Sequence, residues 1–251
     1  MFGLGATAFA GGLMIGSFLT VVAHRVPQGL SIMGPRSQCP GCETQIAARD
    51  NIPVLSWLWL RGRSRCCDER ISIRYPLTEL ALGALFVCIA LVLRDDPAEL
   101  AIGLVFASTL LAVTVTDLER RIIPNAILAV SAVICLVLAA ATDPAGLPER
   151  LIAGVGAGGL LLAAALAYPR GMGMGDVKLA ALMGLFLGRS VAPGLLIALA
   201  AGSIAGLALM ARDGAAARKK AVPFGPFLAL GGIVALLAGS EIIDWYLDTL
   251  A

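Results

Sequence analysis

Eight apolar runs, most of them close to the length that a helix needs to cross a bilayer, leave this chain few folds to adopt. They cover about residues 3–23, 77–94, 99–116, 124–142, 150–168, 177–188, 191–211 and 226–247. A spanning helix needs roughly 20 apolar residues. Lipid offers the backbone no hydrogen-bond partner, so a lone apolar run of this length satisfies its amides by becoming helical. The predicted fold is therefore all-α: a polytopic transmembrane bundle of about eight spans. The sixth run is short, and merging it with its neighbour would lower the count to seven. Charge content agrees, since 14% of the 251 residues are charged against roughly 25% in soluble domains. The first run has no basic segment before it and no A-x-A site after it, so it is expected to be a retained span rather than a cleaved signal peptide.

Basic residues orient the bundle. Residues 24–76 carry eight arginines; Arg120 and Arg121 follow the third run; Arg170 and Lys178 bracket a glycine loop; Arg212, Arg218, Lys219 and Lys220 follow the seventh. The opposite loops hold Arg94, Arg150 and Arg189. Sixteen of the 19 basic residues thus share one side, which reads as cytoplasmic in a multi-pass protein of the inner (cytoplasmic) membrane. The predicted parts are a first span over 1–23, a cytoplasmic cysteine-containing module over 24–76, and the remaining spans over 77–251. A module of that size is small for a core of its own and calls for a metal or another staple. Without one, Ile52, Val54, Leu55, Trp57 and Leu58 would have to hold it. Membrane lipid is an expected partner, with Arg218-Lys219-Lys220 meeting anionic headgroups and Trp57, Trp59 and Trp245 anchoring at interfaces. No nucleic-acid partner is expected.

Two carboxylates stand out. Asp176 ends the glycine-alternating loop Gly171-Met172-Gly173-Met174-Gly175-Asp176-Val177-Lys178, and Asp117 lies at the end of the third run, in Thr116-Asp117-Leu118-Glu119-Arg120-Arg121-Ile122-Ile123-Pro124-Asn125. An ionisable residue at the edge of a span is a functional candidate. The topology puts both acids at one depth on the cytoplasmic side. Two carboxylates sharing a site do not both ionise easily, and such a pair can activate a water and protonate a leaving amine. The plainer readings are a helix cap for Asp176 and an ion pair with Arg120 or Arg121 for Asp117. Glycines before Asp176 suit a backbone that must admit an extended peptide, so Gly173, Gly175 and Lys178 are candidate substrate contacts. Glu79, near the start of the second run, either binds a polar group of the substrate or pairs with an arginine.

These motifs resemble the two active-site motifs of the type IV prepilin peptidases, membrane aspartic proteases of the G-x-G-D class. The likeness continues along the chain. It takes in Gly16-Ser17-Phe18-Leu19, His24-Arg25-Val26-Pro27, Asp50-Asn51-Ile52-Pro53, Ser56-Trp57-Leu58, Leu60-Arg61-Gly62, Ile71-Ser72-Ile73-Arg74-Tyr75-Pro76 with Glu79, and Pro223-Phe224-Gly225-Pro226-Phe227-Leu228-Ala229. The resemblance implies that Asp117 and Asp176 are catalytic. It also implies that the substrate is a prepilin or pseudopilin of a type IV pilus or type II secretion system. The short basic leader of such a substrate is removed at the cytoplasmic membrane face. Many members then methylate the new amino terminus with S-adenosylmethionine.

Cys39-Pro40-Gly41-Cys42 is a metal knuckle, and a second pair some 25 residues on would close a tetrahedral zinc site; disulfides are not expected in a reducing cytosol. The family pattern has a second C-x-x-C. Here its first member is Ser64, its second is Cys67, and Cys66 adjoins, so the expected ligands of a zinc-ribbon-like insert are Cys39, Cys42, Cys66 and Cys67. Cys88 and Cys135, inside apolar runs, read as packing residues. His24, the only histidine, reads as interfacial. Two other functions compete. An ion-coupled secondary transporter also uses acids in glycine-rich spans, but its acids would lie near the midplane. A zinc-ribbon scaffold on a membrane anchor would need neither acid.

Overall fold

The computed structural model describes residues 2–34, 37–39, 41–168, 172–213 and 222–250. Arg36, Pro40, Arg170, Gly171, Arg218, Lys219 and Lys220, which entered the charge and motif readings, lie outside the described residues. The chain forms two compact units, Met1–Asp95 and Asp96–Ala251.

The first unit holds α1 (Phe2–Arg25), the one-turn α2 (Leu55–Trp59) and α3 (Arg74–Val92). The helices α1 and α3 pack along one another. A Cβ at Gly12 would lie 2.7 Å from the Cα of Gly83, and one at Gly16 would lie 2.8 Å from the Cα of Glu79. Small residues let spanning helices approach this closely in lipid, where dispersion replaces the hydrophobic drive. The sequence reading grouped α3 with the later spans, whereas in the structure α3 is the packing partner of α1. The polar module between them is held by directed bonds. Trp57 donates through Nε1 to the Ile71 carbonyl at 3.0 Å. The buried Ser56 hydroxyl accepts from the Ile52 N–H at 2.9 Å and donates to the Arg49 carbonyl at 3.0 Å. Arg65 grips both oxygens of Asp50, and holds that carboxyl below its ordinary range. The apolar residues expected to hold the module do not form its core, because Ile52, Leu55 and Leu58 are exposed.

The second unit contains α4 (Pro97–Arg120), α5 (Asn125–Thr142), α6 (Leu147–Ala167), α7 (Met174–Leu187), α8 (Val191–Asp213) and α9 (Gly225–Leu250). Asp96 caps α4, accepting the N–H groups of Ala98 and Glu99 at 3.0 Å each. Sequential neighbours pair as α4–α5, α6–α7 and α8–α9, and α9 also packs on α4 and α7. Phe106, Leu110, Leu179, Met183, Phe186 and Leu228 fill the centre, with the rings of Phe106 and Phe186 stacked at 4.8 Å. Large apolar side chains such as Ile152, Val155 and Leu196 point outward, as lipid-facing residues of a multi-pass membrane protein do. Cys135 is buried, but Cys88 is exposed on α3, so the packing role expected of it does not hold.

Among the described residues seven helical stretches are long and apolar enough to cross a membrane. One of them, Met174–Arg212, contains both α7 and α8. The 14 residues of α7 rise about 21 Å, less than the ~30 Å of a hydrocarbon core. The 3-10 turn Gly188–Ser190 then reverses the chain. Met183 and Ser190 face Gly232 and Gly239, so α7 runs parallel to α9. Gly194 faces Gly231 and Gly202 faces Phe224, so α8 returns antiparallel to it. Gly188 makes this reversal with φ of 54°, a region open to glycine. The short sixth run of the sequence is thus a short helix in a hairpin. The C-terminal end of α7 is met by Arg150, which donates to the Phe186 carbonyl at 2.6 Å and pairs with Glu99. A buried arginine in this position caps the last turn of α7 and carries its own counter-charge.

Candidate active site

Asp117 sits in the last turn of α4 and Asp176 in the first turn of α7; both are buried. A carboxylate in a last turn opposes the helix dipole. Here the amino terminus of α9 offsets that cost, because the Gly225 N–H donates to Asp117 Oδ2 at 2.9 Å. Pro226 has no N–H, and those of Phe227 and Leu228 bond back to the Phe224 carbonyl, so the first turn of α9 offers the carboxylate a single amide. Among the described residues Asp117 makes no direct ion pair with Arg120 or Arg121, although the Arg121 charge acts on it from farther away. Asp176 is the third residue of α7 and reaches back to the Gly173 N–H with its Oδ2 at 3.2 Å. It therefore does cap its helix, as the acidic half of a capping box.

The motifs around the acids are tied to each other. Lys178 Nζ donates to Asn125 Oδ1 at 2.9 Å. Gly175 lies against Ile123, where a Cβ would come within 3.0 Å of the isoleucine Cβ. Gly175, read from sequence as lining the substrate path, is thus also where the two motif loops touch. Gly173 is the residue that caps α7. Glu79 belongs to the first unit, where its Oε2 accepts the Val54 N–H at 2.7 Å; among the described residues it makes no ion pair with an arginine. The Gly225 amide and Asn125 had no assigned role in the sequence reading. Their signal was present as a glycine followed by proline at the head of the last span, and as an Ile-Pro-Asn turn after Asp117.

In the module, Cys39, Cys42, Cys66 and Cys67 bring their sulfurs within 4.8 Å of one another. Two similar turns present them. The bridge Gln38–Gln45 flanks the first and Arg63–Arg70 the second. Cys39 N–H bonds the Thr44 carbonyl and Glu43 N–H the Cys39 carbonyl; Ser64 N–H bonds the Glu69 carbonyl and Asp68 N–H the Ser64 carbonyl. Glu43 and Asp68 both take positive φ, 55° and 60°. The correspondence makes Ser64 the counterpart of Cys39, Cys67 of Cys42, and Cys66 of Gly41. The Ser64 hydroxyl occupies a ligand corner, 3.3 Å from the Cys67 sulfur, and Cys66 comes in from the tip of the turn to 3.1 Å from Cys42. A hydrogen bond with Ser64 is the main cause that pushes the Cys39 thiol down to about 6, while contact with Cys42 pushes Cys66 up to about 12. Tetrahedral zinc with Zn–S near 2.3 Å sets sulfurs about 3.8 Å apart. The observed 3.5 Å between Cys39 and Cys67 and 3.9 Å between Cys66 and Cys67 lie near that spacing, while the 3.1 Å between Cys42 and Cys66 is tighter than it.

Comparison with known proteins decides the family. The family described as Bacterial Peptidase A24 N-terminal domain matches residues 11–93, and the Type IV leader peptidase family matches residues 104–211. The chain belongs to the type IV leader peptidase family. It is 36% identical to the prepilin leader peptidase/N-methyltransferase of Aeromonas salmonicida strain A449, over 95% of this chain and 92% of the relative. It is 37% identical to that of Aeromonas hydrophila over 94% and 91%, and 36% identical to that of Bacillus subtilis over 95% and 96%. No solved structure matches the chain. Membership in a leader peptidase family leaves the transporter reading without support. The two leader peptidase matches also fall on either side of the boundary between the two compact units.

Proposed function

We propose that Asp117 and Asp176 are the catalytic pair of a membrane aspartic endopeptidase that removes the short basic leader of a prepilin or pseudopilin at the cytoplasmic face of the inner membrane. One observation carries the assignment: two buried carboxylates stand on helices whose motifs touch at Gly175 and Ile123, and each has one oxygen bonded by a backbone amide. The second oxygen of each is then available for the reaction. The ionised member takes a proton from a water, whose oxygen adds to the scissile carbonyl carbon. The protonated member gives its proton to the amide nitrogen, the C–N bond breaks, and leader acid and new amine part. Like charges placed together favour this one-proton state, and the pair titrates as a unit. Gly173, Gly175 and Lys178 lie along the first turn of α7, where the substrate backbone would enter; Glu79, a buried acid near the start of α3, is proposed to bind a polar group of the substrate.

Zn2+ is proposed as the module's structural ion, held by Cys39, Cys42, Cys66 and Cys67. Such an ion supplies folding free energy to a small domain and takes no part in peptide cleavage. Methylation of the new amino terminus by S-adenosylmethionine rests on the relatives being N-methyltransferases by name, with no residue assigned to it. Mass spectrometry of a prepilin incubated with the purified protein and S-adenosylmethionine tests both activities. Loss of the leader mass supports the peptidase, and a further methyl mass supports the second step. An intact precursor after incubation overturns the peptidase assignment.

A further inference from the structure

The one-turn helix α2 turns its two sides to different surroundings. Ser56 is buried, and Trp57 points inward to the Ile71 carbonyl and the face of Gly62. Leu55, Leu58 and Trp59, spaced i, i+3 and i+4 and therefore on one face, are 62%, 59% and 84% exposed. Ile52 extends that patch at 47%. A soluble module would leave this cluster in water, which a folded chain seldom does without a partner.

The depth of α2 identifies the partner. The residue just before it, Val54, donates its N–H to Glu79 at 2.7 Å, and Glu79 is the sixth residue of α3, a helix long and apolar enough to cross the membrane from Arg74 to Val92. Five residues of helix rise about 7.5 Å. The start of α2 is therefore tied, through the length of the Glu79 side chain, beside the first two turns of a spanning helix. Val54 reaches this place with φ of 60°, an unfavourable region for a β-branched residue, and the buried Glu79 carboxylate holds it there. Arg61 follows after Leu60 and is exposed. Apolar residues, then tryptophan, then arginine is the order in which a chain leaves the hydrocarbon for the phosphates.

We propose that α2 is seated in the cytoplasmic interface of the bilayer, with Leu55, Leu58 and Trp59 in lipid and Arg61 at the anionic headgroups. The tryptophans then divide their work: Trp57 braces the module, and Trp59 anchors it to the membrane. The seat is independent of which residues cleave the substrate.

Fluorescence of the full chain in nanodiscs tests this. A Trp245→Phe background leaves Trp57 and Trp59 as emitters. Discs of phosphatidylglycerol and phosphatidylcholine, brominated high on the acyl chains, should quench the emission, and Trp59→Phe should remove most of the quenchable part. Aqueous iodide should quench Trp59 weakly. Strong iodide quenching without lipid quenching puts α2 in water and overturns the seat. Resistance to both quenchers means that protein covers the patch, and overturns it as well. Quenching unchanged in discs of neutral lipid overturns the headgroup contact of Arg61.

Discussion

The Gly225 N–H donates to Asp117 Oδ2 at 2.9 Å, joining residues 108 positions apart in the chain. A Cβ added at Gly225 would fall 2.7 Å from that same oxygen. The carboxylate can be held by the head of α9 only if the residue there has no side chain. Gly225→Ala should therefore displace Asp117 while leaving the spans packed. A misplacement of about 1 Å costs on the order of 100-fold in rate. Leader cleavage by the purified variant should fall by about that factor, with an unchanged melting temperature. Full activity would show that this amide does not position the acid.

Asp117→Asn and Asp176→Asn should each abolish leader cleavage without unfolding the protein, since one carboxylate cannot be both acid and base. Each asparagine keeps an oxygen to accept its amide, from Gly225 or from Gly173, so the helix ends stay satisfied. Circular dichroism and a cleavage assay on both variants decide the matter. Leader removal near the wild-type rate by either one would defeat the pair.

Metal analysis of protein purified without chelator should find about one zinc ion per chain, held by the four cysteines. Chelation should open residues 24–75 to proteases while the spans stay protected. Ser64→Cys should strengthen binding, because Ser64 already stands at the corner that matches Cys39. The readout is zinc retained against a competing chelator. Weaker retention in Ser64→Cys would mean that the serine hydroxyl supports the bound state better than a fifth thiol does.

The Asp50 carboxyl is held below its ordinary range, first by its hydrogen bonds to Arg65. A lowered carboxylate pKa stabilises the fold fully above the unfolded value of about 4, and that contribution is lost as pH falls through the lowered folded value. Arg65→Ala should make the module more susceptible to proteolysis at neutral pH by a small margin, since the pair is partly exposed. The margin over wild type should vanish once acid has protonated Asp50 in both proteins. A margin constant with pH would assign the effect of Arg65 to packing.

Much of this protein is legible one segment at a time. The spans, the positions of the two acids at helix ends and the cysteine cluster follow from run length and motif, because each is a property of a short stretch of chain. Even the doubtful sixth run showed its shortness in the sequence. What the sequence left open depends on which faces meet. It assigned no role to the Gly225 amide that Asp117 requires, or to Arg150 as the cap of α7. Hydropathy marks Leu55, Leu58 and Cys88 as apolar, but it does not say whether an apolar side chain turns toward protein or away from it. The register of the second cysteine turn, which sets Ser64 against Cys39 and brings Cys66 in from the tip, is likewise fixed by backbone bonds and not by residue type. Composition determines that a segment must leave water; only contacts between distant segments determine what it meets there.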